Sequence, residues 1–143
     1  MLHRIFVYGT LKQGFPNFHI NRGRRVPGHF VTVQRYPLFI LGDAHLPWLV
    51  QQPGAGHAVT GELYEVDDDG LAAMDVLEQI SEPGWDHREH IAVQAAVGAG
   101  LAQAAVQAFV YFGTAPRVAS ETVHAGPLPV YSAEHAKTYR EES

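Results

Sequence analysis

The sequence predicts an α+β fold in which short strands outnumber helices. Short apolar or alternating runs are separated by turns rich in glycine and proline, a pattern typical of a strand-rich domain. Only residues 65–85 combine N-terminal acids with helical periodicity. A chain of 143 residues is long enough to bury one core, so we expect a single domain over residues 1–143.

Composition excludes several classes of function. The formal net charge of −5 does not favour nucleic acid or an acidic membrane surface as a partner. The absence of cysteine excludes disulfides, thiolate metal ligands and a cysteine nucleophile. No apolar run is long enough to cross a bilayer and no secretory leader is recognisable, so we expect a cytoplasmic protein.

Strands are predicted in order along the chain. The first, residues 5–8, is a continuous apolar run of the kind buried on both faces of a sheet. The further candidates, each an apolar or alternating run, are residues 29–36, 38–41, 47–50 and 59–66. Residues 88–97 and 104–112 are predicted to pair as a hairpin around the glycine turn at 98–100. The tail 115–143 contains three prolines and is expected to be irregular, apart from one or two helical turns near its end.

The one substantial helix follows the strand at 59–66. Asp68 or Asp69 is expected to cap its N-terminus, where a negative charge suits the helix dipole. The Pro83–Gly84 pair is expected to end it. Val76 and Ile80 lie on the opposite side from the main apolar face. Either the helix is buried on two faces or it unwinds before Ile80.

Glu78 stands where amphipathic patterning does not place a charge. On a helical wheel, Leu71, Met74 and Leu77 form one apolar arc of about 120°, and Glu78 falls inside it. The pattern alone favours an edge residue whose stem covers the core while its carboxylate reaches water. The functional alternative is a desolvated carboxylate whose raised pKa suits it to accept a proton near neutral pH.

Metal sites receive little support. The DDDG run resembles the start of a calcium-binding loop, but Val76 stands where that loop requires a bidentate glutamate. Helix capping explains the acids instead. His87 and His90 are three residues apart in a predicted strand, so their side chains point to opposite faces.

The stretch IFVYGTLKQGFPN, residues 5–17, passes from a buried strand into a turn at Gly9 and Thr10. Successive N–H groups of such a turn can point into one concavity and bind an anion. A simple change of chain direction is the alternative, and the pattern alone favours it.

Several of these motifs together resemble the γ-glutamyl cyclotransferase superfamily: VYGTL near the N-terminus, a strand ending GELYEV, a capped helix and then MDVLE. The resemblance is closest to the γ-glutamylamine cyclotransferase branch, through LKQGFPN, YPLFILGDAHLPWLVQQPG and FVYF. It covers residues 3–112. It implies a small mixed β-barrel with few helices, a small-molecule γ-glutamyl substrate, and neither a metal nor an organic cofactor.

The resemblance also implies roles for particular residues. The family's turn that binds the γ-glutamyl group maps to Tyr8, Gly9, Thr10 and Leu11, and its catalytic glutamate maps to Glu78. The substrate's α-amine then attacks its own γ-carbonyl and releases 5-oxoproline, with Glu78 moving the proton as general acid and base. The alternatives are a cyclotransferase for γ-glutamyl-α-amino acids or for a biosynthetic γ-glutamyl group, and a binding module without turnover.

One segment departs from the family pattern. Members commonly carry Y-x-R shortly after the catalytic glutamate. Arg88 matches the arginine, but Asp86 stands in place of the tyrosine with Trp85 beside it. This departure bears on the identity of the substrate more than on the type of reaction.

Overall fold

The computed structural model describes residues 2–78, 87–96 and 104–140. Its strands are β1 (His3–Val7), β2 (Arg24–Arg25), β3 (Phe30–Thr32), β4 (Leu38–Leu41), β5 (Leu46–Leu49), β6 (Thr60–Val66), β7 (His87–Ala95), β8 (Val106–Phe112) and β9 (Val123–Ala125). Its helices are a 3-10 turn (Phe18–Ile20), α1 (Asp68–Leu77), α2 (Ala115–Ser120) and α3 (Ala133–Ala136). No helix within the described residues is long and apolar enough to span a bilayer.

Five strands close into a small barrel in the order β1, β8, β7, β3 and β6. Closure occurs because β6 pairs with β3 on one side and with β1 on the other. The β1–β8 pairing is parallel and the other pairings around the barrel are antiparallel, so the sheet is mixed. This confirms the predicted α+β fold with a mixed barrel and few helices.

A second sheet, in the order β5, β4, β9, stands against the end of the barrel. Trp48 of β5 fixes it there, since its indole N–H donates to the Thr114 carbonyl oxygen at 2.9 Å. Val50, directly after β5, forms a bridge with Gly113, directly after β8. The β4–β5 hairpin therefore lies beside the carboxyl ends of the two parallel strands, β1 and β8.

Of the three apolar clusters in the described part of the core, one fills the barrel interior and another lies between the barrel wall and α1. Phe6 belongs to the interior cluster, whereas Ile5 and Val7 pack with Leu71 and Met74 of the helix. The three β1 residues are at most 3% exposed. The prediction that this strand is buried on both faces is therefore confirmed.

Helix α1 is capped one residue earlier than the sequence analysis predicts. The cap is Asp67, not Asp68 or Asp69, and its carboxylate accepts from the Gly70 N–H at 2.7 Å. Asp67 still has extended backbone as the chain leaves β6, which aims its side chain back at the first helical turn.

The other end of α1 resolves the two alternatives for its burial. The helix ends at Leu77, before Ile80, and the Val76 side chain is 77% exposed. Only one face of α1 is therefore buried. The predicted stop at Pro83–Gly84 lies outside the described residues.

The antiparallel pairing of β7 with β8 confirms the predicted hairpin, whose turn at 98–100 lies outside the described residues. The predicted irregularity of the tail is wrong for two segments, α2 and β9. Pro116 occupies the first turn of α2, where a proline is tolerated, and β9 pairs with the open edge of β4. Helix α3, which the sequence analysis predicts, is held by a capping box between Ser132 and His135.

Gly61 supplies a test of barrel closure. A Cβ at Gly61 would lie 2.3 Å from the Val7 carbonyl oxygen and 2.8 Å from the Phe6 ring. We expect Gly61→Ala to lower the free energy of unfolding by about 2–3 kcal/mol, measured by urea denaturation. The control is Gly70→Ala, whose nearest neighbour would be 3.2 Å away and which we expect to change stability by no more than about 1 kcal/mol. Equal effects of the two variants would contradict this account of closure.

Candidate functional site

A cavity of about 360 Å³ opens where β1, β8 and the hairpin β4–β5 meet the end of α1. The turn at residues 8–11 forms one wall and the last turn of α1 forms another. Leu46, Pro47 and Trp48 of the β4–β5 hairpin contribute an apolar wall. The other lining residues are Phe6, Val7, Asn17, Ile20, Tyr111 and Tyr139. The cavity thus brings together all five residues that the resemblance maps to the site.

The turn at residues 8–11 combines burial with backbone N–H groups, at Gly9, Thr10 and Leu11, that donate to no described residue. Tyr8, Thr10 and Leu11 are each less than 9% exposed. Among the described residues, the backbone N–H groups of Gly9, Thr10 and Leu11 have no hydrogen-bond acceptor. A Cβ at Gly9 would lie 2.8 Å from Pro47 Cγ, so glycine permits the close approach of the apolar wall. Such a turn is suited to receive an anion.

Two buried asparagines hold this turn in place. The Asn17 side chain donates to Thr10 Oγ1 at 2.9 Å, and its backbone N–H donates to the Thr10 carbonyl at 2.8 Å. The Asn21 side chain donates to the Leu11 carbonyl at 3.1 Å. Asn17 lies within the LKQGFPN motif, but no role for either asparagine is predictable from the sequence pattern. Both asparagines are at most 7% exposed, and this burial, which the sequence does not reveal, is what indicates that they have a structural role.

Glu78 occupies the C-terminal cap of α1 and faces the same cavity. Its backbone N–H donates to the Met74 carbonyl at 2.9 Å, which continues the helical path to this residue. The side chain is half-buried at the border between the apolar face of α1 and the cavity. A carboxylate in that position can exchange a proton with a bound molecule.

A polar network lies beside Glu78. The Tyr111 hydroxyl donates to Asp75 Oδ1 at 2.7 Å, and the Arg88 guanidinium binds the other oxygen of Asp75. The Tyr8 hydroxyl donates to the Tyr111 carbonyl at 2.8 Å, so Tyr111 connects the turn with α1. Burial raises the pKa of Tyr111 far above its usual value, and the charges of Asp75 and then Glu78 add to the rise. Sequence patterning identified neither Tyr111 nor Asp75 as part of the site.

Arg88, which matches the family arginine, is thereby placed in this network. Trp85 and Asp86, where the sequence departs from the family pattern, lie outside the described residues.

The tail closes one side of the site. The Tyr139 hydroxyl accepts a hydrogen bond of 2.8 Å from the Asn17 side chain. Lys12 donates to the carbonyl of Tyr131, which is fully buried, and its ammonium lies 4.3 Å from the centre of the Phe15 ring. Burial lowers the pKa of Lys12 to about 8, against the opposing charge of Glu62. Lys12 and Asn17 therefore fasten the tail to the loop that follows the turn.

The arrangement suits a small molecule with an anionic group at one end. The N–H groups of Gly9, Thr10 and Leu11, which donate to no described residue, can hold that group. The carboxylate of Glu78 lines the same cavity and can exchange a proton with the bound molecule. Within the described ranges, no group of three or more histidine, aspartate or glutamate side chains is placed to hold a metal ion.

Comparisons with known proteins point to one family. Residues 5–129 match the family model described as "Gamma-glutamyl cyclotransferase, AIG2-like". The chain is 42% identical over 114 residues to a gamma-glutamylaminecyclotransferase of Mus musculus, covering 75% of each chain. It is 41% identical over 120 residues to a protein of that name from Homo sapiens, covering 75% of this chain and 76% of the relative. The crystal structure of an AIG2-like protein from Mus musculus superposes with a TM-score of 0.74 at 34% identity, covering 99% of this chain and 96% of that one.

Lys12 supplies a pH-dependent test of the tail contact. The unfolded chain keeps Lys12 protonated up to pH about 10.5, whereas the folded protein releases the proton near pH 8. Between these values the unfolded state binds more protons, so the stability of wild type rises with pH relative to Lys12→Met. We expect a total gain of about 3 kcal/mol, measured by urea denaturation from pH 7 to pH 10.

The exposed Lys137, replaced by methionine, is the matched control and should follow wild type at every pH. Parallel stability curves for wild type and Lys12→Met would contradict the lowered pKa.

Proposed function

Because the chain belongs to the gamma-glutamyl cyclotransferase, AIG2-like family, we propose that it is a γ-glutamylamine cyclotransferase. It releases 5-oxoproline and a free amine from a small γ-glutamyl substrate. The observation that carries the proposal is the meeting of the turn at residues 8–11 with Glu78 in one cavity. As the resemblance implies, the reaction is proposed to need neither a metal nor an organic cofactor. A cytoplasmic location is proposed separately, from the sequence.

The turn binds the α-carboxylate of the substrate in this proposal. The N–H groups of Gly9, Thr10 and Leu11 make no hydrogen bond to any described residue, and these three residues line the cavity. Three amide donors in one turn recognise a carboxylate without a cationic side chain. Asn17 and Asn21 fix the turn from behind, so its donors are arranged before the substrate arrives.

Glu78 moves the proton. The α-ammonium of the substrate has no lone pair until it loses a proton to the Glu78 carboxylate. The α-nitrogen then attacks the γ-carbonyl carbon, and a new C–N bond closes the five-membered lactam. The original amide C–N bond breaks as the proton held by Glu78 passes to the departing nitrogen. The ring nitrogen then loses a second proton through Glu78 to the freed amine, which leaves as an ammonium ion. Ring closure is intramolecular, so holding the substrate in a folded-back conformer lowers the barrier through orientation.

The lining favours an amine over an α-amino acid as the leaving group. An α-amino acid would carry a carboxylate next to the scissile nitrogen, where a cationic side chain would normally receive it. Among the described lining residues there is no lysine or arginine. The lining instead includes the apolar side chains of Leu46, Pro47 and the exposed Val76.

Glu78→Gln tests the role of the carboxylate. We expect turnover to fall by about 10²–10⁴-fold, because the amide cannot accept the proton of the ammonium. Folding and substrate binding should persist, as judged by thermal unfolding and calorimetry. Glu134→Gln, on the exposed surface of α3, is the control and should keep full activity. Near-normal turnover by a folded Glu78→Gln variant would refute the mechanism.

A substrate panel tests the leaving group. We expect faster 5-oxoproline release from γ-glutamyl-ε-lysine than from γ-glutamyl-alanine, because the latter places a carboxylate beside the apolar wall. The measurement is kcat/KM for each compound by quantification of 5-oxoproline. A preference for γ-glutamyl-alanine would support the α-amino-acid alternative. Ligand-induced thermal stabilisation without product from any γ-glutamyl compound would support a binding module.

A further inference from the structure

We propose that the phenol oxygen of Tyr111 accepts a hydrogen bond from the substrate's α-amino group beside Glu78, and that Asp75 and Arg88 fix it in that role. The inference rests on the proposed function, because it assumes that a γ-glutamyl group occupies the cavity. It adds one binding residue and two positioning residues to the turn and Glu78.

The hydrogen bond to Asp75 determines what Tyr111 can offer the cavity. A phenol has one proton to donate, and Tyr111 gives it to Asp75 Oδ1 at 2.7 Å. Any further partner of the same oxygen must therefore be a donor. Tyr111 lines the cavity, so a donor bound there can reach it. Its pKa is raised by burial and by nearby carboxylates, which keeps the phenol protonated and committed to Asp75.

Arg88 fixes the acceptor of that proton. Its guanidinium binds the second oxygen of Asp75, so both oxygens of this carboxylate have protein partners. Arg88 lies opposite Tyr111 in the β7–β8 ladder, and its guanidinium stands 4.8 Å from the centre of the Phe109 ring. The side chains of Asp75 and Arg88 are each only 24% exposed, so the surrounding protein partly shields the ion pair from water.

The position of Tyr111 suits the α-amino group of a γ-glutamyl substrate. Its carbonyl oxygen accepts from the Tyr8 hydroxyl at 2.8 Å, which ties it to the turn proposed to hold the α-carboxylate. The charge of Glu78 also acts on its phenol. The α-amino and α-carboxylate groups share one carbon, so an amino group between the turn and Glu78 falls beside Tyr111.

An acceptor at this position also orients the nucleophile. After Glu78 removes one proton, the neutral amine keeps two N–H bonds. Donation of one of them to Tyr111 restricts rotation of the amine, and its lone pair can then be held toward the γ-carbonyl carbon. Such orientation is a recognised source of rate in ring closure.

The test compares two ligands in the turnover-deficient Glu78→Gln background. One is γ-glutamyl-ε-lysine, and the other is its deamino analogue, in which a glutaric acid monoamide lacks only the α-amino group. We expect added Tyr111→Phe to weaken binding of the first by about tenfold or more, because a hydrogen bond to a charged group is lost. Binding of the analogue should change less than about twofold on the same scale.

Tyr64→Phe is the matched control in the same background. The Tyr64 hydroxyl also donates to a buried carboxylate, Glu62 Oε1 at 2.8 Å, but Tyr64 does not line the cavity. It should leave the ratio of the two dissociation constants unchanged. Equal weakening of both ligands by Tyr111→Phe, or weakening of neither, would overturn the proposal.

The positioning residues are tested by the same ratio. Asp75→Asn and Arg88→Met should each reduce the preference for the ligand with the α-amino group, whereas Arg88→Lys should retain most of it. An unchanged preference in Asp75→Asn and Arg88→Met would remove them from the proposal.

Failure of the proposed function would appear differently, as turnover by Glu78→Gln itself. In that case the Tyr111 comparison is made from the KM of the substrate and the inhibition constant of the analogue.

Discussion

The pairing of β1 on both of its edges is the constraint on which the rest of the structure depends. The strand lies antiparallel to β6 and parallel to β8, and its side chains are buried on both faces. Each of these three strands delivers one part of the site. The turn at residues 8–11 leaves β1, α1 with Glu78 follows β6, and Tyr111 lies near the end of β8. A cavity at this edge is therefore a consequence of the strand order.

Strand pairing determines where the site lies, and buried polar side chains then hold the turn at residues 8–11 and the tail in place. The turn at residues 8–11 lines the cavity. The buried side chains of Asn17 and Asn21 hold its conformation through hydrogen bonds to Thr10 and Leu11. Burying a side-chain amide costs free energy unless its hydrogen bonds are made. Here the hydrogen bonds of the two asparagine amides stabilise the conformation of the turn. Lys12 plays a similar part for the tail, because its buried ammonium donates a hydrogen bond to the Tyr131 carbonyl oxygen. The tail is thus bound to the site loop through groups that are costly to bury alone.

The sequence predicted local features well and long-range contacts poorly. The apolar run at 5–8, the hairpin of β7 with β8, and one helix carrying Glu78 all follow from short-range periodicity. Barrel closure came only from the resemblance, because no pattern within a single strand states which partners it chooses. The strand β9 was missed for the same reason, since its pairing with β4 joins segments about eighty residues apart. Asn17, Tyr111 and Tyr139 could not be assigned to the site, because their roles depend on contacts that periodicity does not encode.

Two carboxylates near the end of α1 make different contacts in the structure. Asp75 and Glu78 lie three residues apart and so project from neighbouring positions on α1. Both oxygens of Asp75 are bound by protein, one by Tyr111 and one by Arg88, and Asp75 is not part of the cavity lining. Glu78 stands at the helix end, half-buried, on the cavity wall. A proton acceptor must reach the substrate, and a carboxylate already occupied on both oxygens would have to break an ion pair to do so. In the proposed mechanism, Asp75 therefore holds the network and Glu78 transfers the proton.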